Sequence, residues 1–205
     1  PFRSILTTAA IGAGALAAYA TLVEPRWLQL TRPTINLRRL PRPLEGLRIG
    51  LLTDMHAGAG TPFSVIRRAC RMIMAERPDL IALTGDFAAD DAPNFRRVLA
   101  VLSGLHAPLG VYAVPGNHDY LVGIDKWHRE VRDAGVEDLT NRAVTLDRFG
   151  ARLCIAGVDD YSNGQPTLAH LPPAYARDFT ILLAHDPDQA ERSRREEDQI
   201  DLILS

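Results

Sequence analysis

The chain has 205 residues, 46% hydrophobic and 23% charged, with a mean hydropathy of −0.06. This excludes a disordered, collagen-like or coiled-coil chain and suits one medium domain that buries its own core. Lys plus Arg number 23 against 25 Asp plus Glu, a formal net charge of −2, so no global field points to nucleic acid.

From Ile5 to Val23 the chain carries no charge, between Arg3 and Glu24-Pro25-Arg26. That length just spans a bilayer as a helix, although its Ala, Gly and Thr content gives a weak transfer energy. Ala18-Tyr19-Ala20 also has the small-x-small form of a signal cleavage site. Residues 1–25 are therefore expected to be a transmembrane anchor or signal segment, with a buried core helix as the bland alternative. Residues 26–46 follow as a linker in which Trp27, Arg38, Arg39 and Arg42 are interrupted by Pro33, Pro41 and Pro43. They fit an interfacial spacer near headgroups or an ordinary extended lead-in.

From Leu47 short apolar runs alternate with helical periods. Leu47–Thr53 reads as a strand ending in Asp54 and His56, and Phe63–Glu76 as a helix stopped by Pro78. Leu80–Thr84 is a second strand ending in Gly85-Asp86, and Phe95–Leu105 the next helix. Val111–Val114 is a strand running into Pro115-Gly116-Asn117-His118-Asp119, followed by a helix over Ile124–Ala134. Ala143–Leu146 and Leu153–Val158 read as a hairpin around Phe149-Gly150. Phe179–Ala184 is a strand ending in His185, Asp188–Arg195 a helix, and Ile200–Leu204 a closing apolar run. Alternation followed by an antiparallel portion predicts an α/β body with a mixed sheet.

The polar residues fall where the strands end. In open α/β folds ligands bind beyond the carboxyl ends of the strands, and ends along one edge converge in space. Asp54 and His56, two positions apart, share a face of a strand, so one cation can take both. Each string has an ordinary structural reading on its own: Asp86 as a cap, Gly116–Asp119 as a turn, His185 as a half-buried histidine. Together, in order and all at strand ends, they read as one site. Carboxylate, imidazole and amide oxygen suit Mn²⁺, Fe²⁺ or Zn²⁺, and Asp86 can bridge a pair. Two cations about 3.5–4 Å apart polarise a phosphoryl group and lower the pKa of a water between them, which supplies a nucleophile for in-line attack. His118 is placed to stabilise the transition state or protonate the leaving oxygen.

Asp54-Met55-His56, Gly85-Asp86, Gly116-Asn117-His118-Asp119 and His185 together resemble the calcineurin-like metallophosphoesterases, from about Leu47 to Ser205. The resemblance implies a metallophosphoesterase-like sandwich of two mixed β-sheets flanked by helices, preceded here by an N-terminal apolar helix. It implies that Asp54 and His56 hold a first metal, that Asp86 bridges, that Asn117 and His185 hold a second, and that His118 is catalytic. The apolar first segment and the Leu182–Asp188 string look most like the membrane-associated branch similar to UDP-2,3-diacylglucosamine pyrophosphatases of lipid A synthesis. That branch implies a phosphorylated small-molecule or lipid substrate at a bacterial inner membrane, or outside it where the first segment is cleaved, with no nucleic acid expected.

Two departures accompany the resemblance. The family's final Gly-His-x-His, which supplies one ligand to each metal, does not occur before Ser205. The chain as it stands is therefore expected to bind metal weakly or not at all. Many relatives also orient the catalytic histidine with an aspartate three residues after the bridging one, where this chain has Ala89, with Asp90 and Asp91 just beyond. His106, His128 and His170 read as surface residues, Asp159 and Asp160 as turn caps or supporting groups, and Arg192–Asp198 as a solvated helix face. Cys70 and Cys154, at no zinc or redox spacing, read as buried thiols. The leading expectation is a membrane-associated hydrolase of phosphate esters or pyrophosphates, such as UDP-2,3-diacylglucosamine, using two divalent metals. The alternatives are a catalytically incomplete scaffold on the same fold, and a nuclease or cyclic-nucleotide phosphodiesterase.

Overall fold

Runs of apolar residues that end in polar ones become strands throughout this protein. A computed structural model describes residues 11–58, 61–89, 92–169, 178–188 and 200–205. The chain divides into two units, Pro1–Arg32 and Pro33–Ser205.

The described part of the first unit opens with helix α1 (11–18), followed by a π-helical turn over Tyr19–Val23 and a 3-10 turn over Glu24–Arg26. Its large apolar side chains, Ile11, Leu16, Leu22 and Trp27 among them, are exposed. Among the described residues no helix is long and apolar enough to cross a membrane, and residues 1–10, where the expected apolar run begins, lie outside them.

In the second unit the strands are β1 (Ile49–Leu52), β2 (Leu80–Leu83), β3 (Val111–Ala113), β4 (Glu137–Asp138), β5 (Arg142–Arg148), β6 (Ala151–Gly157), β7 (Phe179–Leu183) and β8 (Leu202–Leu204). The helices are α2 (Phe63–Ala75), α3 (Ala92–Leu102), α4 (Asn117–Val122) and α5 (Ile124–Asp133). Two four-stranded sheets form, β1-β2-β3-β4 and β5-β6-β7-β8. The first is parallel throughout, and the second is mixed, with an antiparallel β5–β6 hairpin and parallel β6–β7 and β7–β8 pairs.

Strands β2, β3 and β7 are buried on both faces, which is why they read as unbroken apolar runs. Ile81 and Leu83 of β2 face the helices, where Ile66, Cys70, Phe95, Val98 and Trp127 complete one core. Leu80 and Ala82, on the opposite face, meet Leu153, Ile155, Ile181 and Leu183 of the second sheet. Each Val, Leu, Ile or Phe so covered contributes about 1.5–3 kcal/mol of hydrophobic stabilisation. A smaller cluster of Cys154, Ala156, Leu182 and Ala184 lies on the second sheet's other face. Helix α2 presents one apolar stripe, Val65, Ile66, Cys70 and Ile73, and ends at Glu76 before Arg77 turns left-handed ahead of Pro78. The lead-in is more than a spacer, because Leu44 is fully buried and Leu37, Leu40 and Leu47 pack against the inter-sheet core.

The expected strands and the hairpin occur within a few residues of their predicted limits. Two elements differ: Gly116–Asp119 opens the short helix α4 rather than a simple turn, and β4 is a two-residue strand paired with Tyr112 and Ala113. Most of the expected helix Asp188–Arg195, the Arg192–Asp198 run, His170, and Asp90 with Asp91 lie outside the described residues.

Candidate metal centre

The loops that follow β1, β2 and β3 run against one another at the carboxyl edge of the first sheet. Asp54 N donates to Gly85 O at 3.2 Å and His56 N to Asp86 O at 2.9 Å, so the first two loops are zipped together. Asp54, His56 and Asp86 all have positive φ, of 49°, 40° and 54°. A left-handed non-glycine residue costs on the order of 1–3 kcal/mol and persists where surrounding structure imposes it, as functional sites do. The glycines beside them are there for close approach. A Cβ on Gly85, whose φ is +95°, would lie 2.5 Å from Gly116 N, and one on Gly116 would lie 2.3 Å from Asp86 Oδ1.

All the donors converge on Asp86, which is buried. Its Oδ1 accepts the His118 N–H at 2.8 Å, which turns Oδ2 toward two imidazoles, His56 Nε2 at 3.2 Å and His185 Nε2 at 3.5 Å. His56 Nε2 also lies 3.8 Å from Asp54 Oδ1, and His185 Nε2 lies 3.2 Å from Asn117 Oδ1. Ligand atoms of His56, Asp86 and His118 fall within 4.8 Å of one another, and so do those of Asp54, Asp86 and His185. Asp86 belongs to both groups, so the structure brings all six expected residues into one cluster.

The donor set fits cations. His185 meets the Thr84 carbonyl through Nδ1 at 2.7 Å; with that nitrogen protonated, Nε2 turns a lone pair toward Asp86 Oδ2 and Asn117 Oδ1. Electron-rich atoms at such distances repel unless a proton or cation lies among them. Fixing one ring nitrogen of a histidine on a carbonyl is also how metal-binding imidazoles are oriented. Oxygen with imidazole nitrogen is the chemistry of Mn²⁺, Fe²⁺ or Zn²⁺ sites.

His118 stands edge-on to His56, ring centroids 4.6 Å apart, and its Nδ1 bonds the Ala89 carbonyl. The sequence has no aspartate at position 89, and the backbone oxygen there orients the ring instead. Asp119, given no role by the sequence, ties the two loops together from beneath. Its Oδ2 accepts the Asp86 and Gly116 N–H groups, both at 2.9 Å, and its Oδ1 accepts Phe87 N–H at 3.1 Å. Burial pushes its carboxyl up to about 7; the three backbone donors pull against that shift and the charge of Asp86 adds to it. Its place as third residue of α4, bonding back to Gly116, is the signature of a capping acid that could have found it.

A cleft of about 380 Å³ is lined by Asp54, Asn117 and His185 of the cluster together with Asp160, Ser162 and Asp186. Asp159 and Asp160 do cap turns: Asp160 Oδ2 accepts Ser162 and Asn163 N–H groups, and Asp159 Oδ2 that of Gln165. His106 is exposed, as expected. His128 is not a plain surface residue, because its Nδ1 lies 2.9 Å from Asp138 Oδ2, beside Arg132.

Residues 47–205 match the family model described as Calcineurin-like phosphoesterase. A transmembrane protein with metallophosphoesterase domain from Bos taurus is 31% identical over 191 residues, 86% of this chain and 43% of that protein. UDP-2,3-diacylglucosamine pyrophosphatase LpxG of Chlamydia trachomatis is 37% identical over 111 residues, 53% of this chain and 33% of that one. Among solved structures, the NAD nucleotidase of Haemophilus influenzae shares the fold, with a TM-score of 0.55 at 15% identity over 77% of this chain and 37% of that chain. The chain spans less than half the length of each of these proteins.

Proposed function

Because residues 47–205 make this chain a member of the calcineurin-like phosphoesterase family, we propose that it is a metal-dependent hydrolase of phosphate esters or pyrophosphates. The observation that carries this reading is the convergence of His56, His185, Asn117 and Asp54 on the one buried carboxylate of Asp86. Asp54, His56 and Asp86 would hold one divalent cation, and Asp86, Asn117 and His185 a second, manganese being favoured over iron or zinc. Such a pair, when bound, polarises a phosphoryl group and activates a water.

The chain's own residues do the rest. The His118 N–H fixes Asp86 through Oδ1, so that Oδ2 faces both sides of the cluster. Asp119 holds the Gly85-Asp86 and Gly116-Asn117 turns in register, so the donors are in place before substrate arrives. His118 keeps one proton on Nδ1, against the Ala89 carbonyl, and passes a second from Nε2 to the leaving oxygen.

Within this class the favoured substrate is a lipid-linked or nucleotide-sugar pyrophosphate, the kind named in the Chlamydia relative. A seat at a membrane, the inner membrane in a bacterium, would raise the local concentration of such molecules. The uncharged run over Ile5–Val23 and the transmembrane name of the bovine relative support that placement.

The test is a panel of pyrophosphates, monoesters and diesters, assayed with the full-length protein, chelator-stripped and then given Mn²⁺. Cleavage that returns with Mn²⁺ and falls about a hundredfold or more in Asp86→Asn and His118→Ala is the expected result. Hydrolysis indifferent to the chelator or to both substitutions would overturn the reading.

A further inference from the structure

The cleft that the metal donors line has a second group of polar residues with a chemistry of its own. Asp160 is 2% exposed yet lines the cleft. Its Oδ2 is saturated, accepting Ser162 N at 3.1 Å, Asn163 N at 2.7 Å and Asn163 Nδ2 at 3.1 Å. Its Oδ1 accepts no hydrogen bond among the described residues. A carboxylate oxygen with no protein donor, in a side chain almost wholly covered except where it lines the cleft, is an acceptor left open to whatever enters there.

The loop that presents this oxygen is fixed independently of any ligand. Asp159 Oδ1 accepts the Tyr120 hydroxyl at 2.6 Å and Asp160 N at 2.8 Å, and its Oδ2 accepts Gln165 N at 2.9 Å. Asn141 Oδ1 takes Asp159 N at 3.1 Å and Thr167 N at 3.0 Å. Gly164 lies flat on the Asp159 carboxylate, where any Cβ would come within 2.3 Å of its Cγ. Tyr120 sits on α4, the helix that also carries Asn117 and His118. The loop is therefore in register with the metal donors, and a preorganised wall of this kind spends little binding energy on ordering itself.

We propose that Asp160, with the exposed hydroxyl of Ser162 beside it, is a hydroxyl-binding subsite for the sugar or nucleoside part of the substrate. A phosphate is repelled by the Asp160 carboxylate and belongs at the cation cluster. A neutral O–H donor, with no charge to oppose, fills the open lone pairs of Oδ1. The inference deepens the phosphoesterase reading and rests on it for its kinetic arm, while its binding arm stands alone.

The experiment compares UDP-glucose, rich in hydroxyls, with bis(p-nitrophenyl) phosphate, which has none, in the protein and in its Asp160→Asn and Asp160→Ala variants. In Asp160→Asn the amide oxygen still accepts from Ser162 and Asn163, so the loop keeps its shape and only the free acceptor is lost. The ratio of kcat/KM for UDP-glucose over the diester should fall about tenfold in Asp160→Asn and up to about a hundredfold in Asp160→Ala, the range for hydrogen bonds to charged groups. Equilibrium dialysis of UDP-glucose against metal-free protein should show a matching loss of affinity. A ratio and an affinity within twofold of the parent in Asp160→Asn would overturn the subsite, and so would a parent protein that cleaves the diester but neither binds nor cleaves UDP-glucose. If neither substrate is cleaved while UDP-glucose binding still depends on Asp160, the subsite stands and the phosphoesterase reading falls.

Discussion

Two histidine–aspartate clusters stand out among the described residues, and they differ in what surrounds each carboxylate. At Asp138 every oxygen has its donor: Oδ2 accepts from Arg132 and pairs with His128 Nδ1, both at 2.9 Å, while Oδ1 accepts the Thr140 N–H at 3.0 Å and its hydroxyl at 2.6 Å. At Asp86 one oxygen, Oδ2, is shared by two imidazole nitrogens, with Asn117 Oδ1 close to one of them and Asp54 Oδ1 close to the other. The first cluster is a closed structural knot between α5 and β4. The second gathers ligand-type side chains from separate loops around a single carboxylate oxygen. Residue types alone do not separate the two, and the ledger of donors and acceptors does.

Asp86→Asn gives the sharpest contrast. Beyond the loss of hydrolysis, it should abolish the stabilisation that Mn²⁺ confers, about 2.7 kcal/mol at one hundred times Kd. In metal-free protein it should melt no lower than the parent, because it relieves the crowding; thermal melts with and without Mn²⁺ check both. A lower metal-free melting temperature would show that the two clusters are alike. Gly116→Ala comes next, since its Cβ would press on Asp86 Oδ1. A cost of about 1–3 kcal/mol and a weakened Mn²⁺ response are expected.

Asp138→Asn should also cost about 1–3 kcal/mol but leave the Mn²⁺ increment in place. Its pH dependence carries a sign. Burial acts to raise the Asp138 carboxyl, but the hydrogen bonds from His128 and Thr140 outweigh it and hold the group below its ordinary value. A depressed native value means stability that is present above the unfolded-state value of about 3.9 and lost as pH falls through the native one. The gap between parent and Asp138→Asn should therefore be full near neutrality and close below about pH 4, by denaturant melts across that range. The smallest effect belongs to Tyr120→Phe, which removes one bond to Asp159 and should cost about 0.5–1.5 kcal/mol.

Much of this was legible before any coordinates. Strands β2, β3 and β7 are buried on both sides, so their apolar runs mark them plainly, and the residues that follow β1, β2, β3 and β7 meet in one cluster. Asp54, His56, Asp86, Asn117, His118 and His185 could be chosen on that ground alone. What escaped is what side-chain identity does not encode. The Ala89 carbonyl that orients His118 is backbone, and Ala89 as a letter says only that an expected carboxylate is missing. The pairing of His128 with Asp138 joins a helix to a strand of two residues, too short for any periodicity to announce. Asp119 acts through backbone N–H groups of another loop, a relation that exists only once β2 and β3 lie side by side.

The two cysteines offer a consequence of the layered core. Cys70 lies between helices and first sheet, Cys154 on the far side of the second, and burial pushes their thiols up to about 11 and about 12. Only the thiolate attacks a disulfide reagent, so neither reacts while its surroundings stay shut. Each is thus a built-in reporter of local breathing, and the two modification rates clock the opening of opposite flanks of the molecule separately.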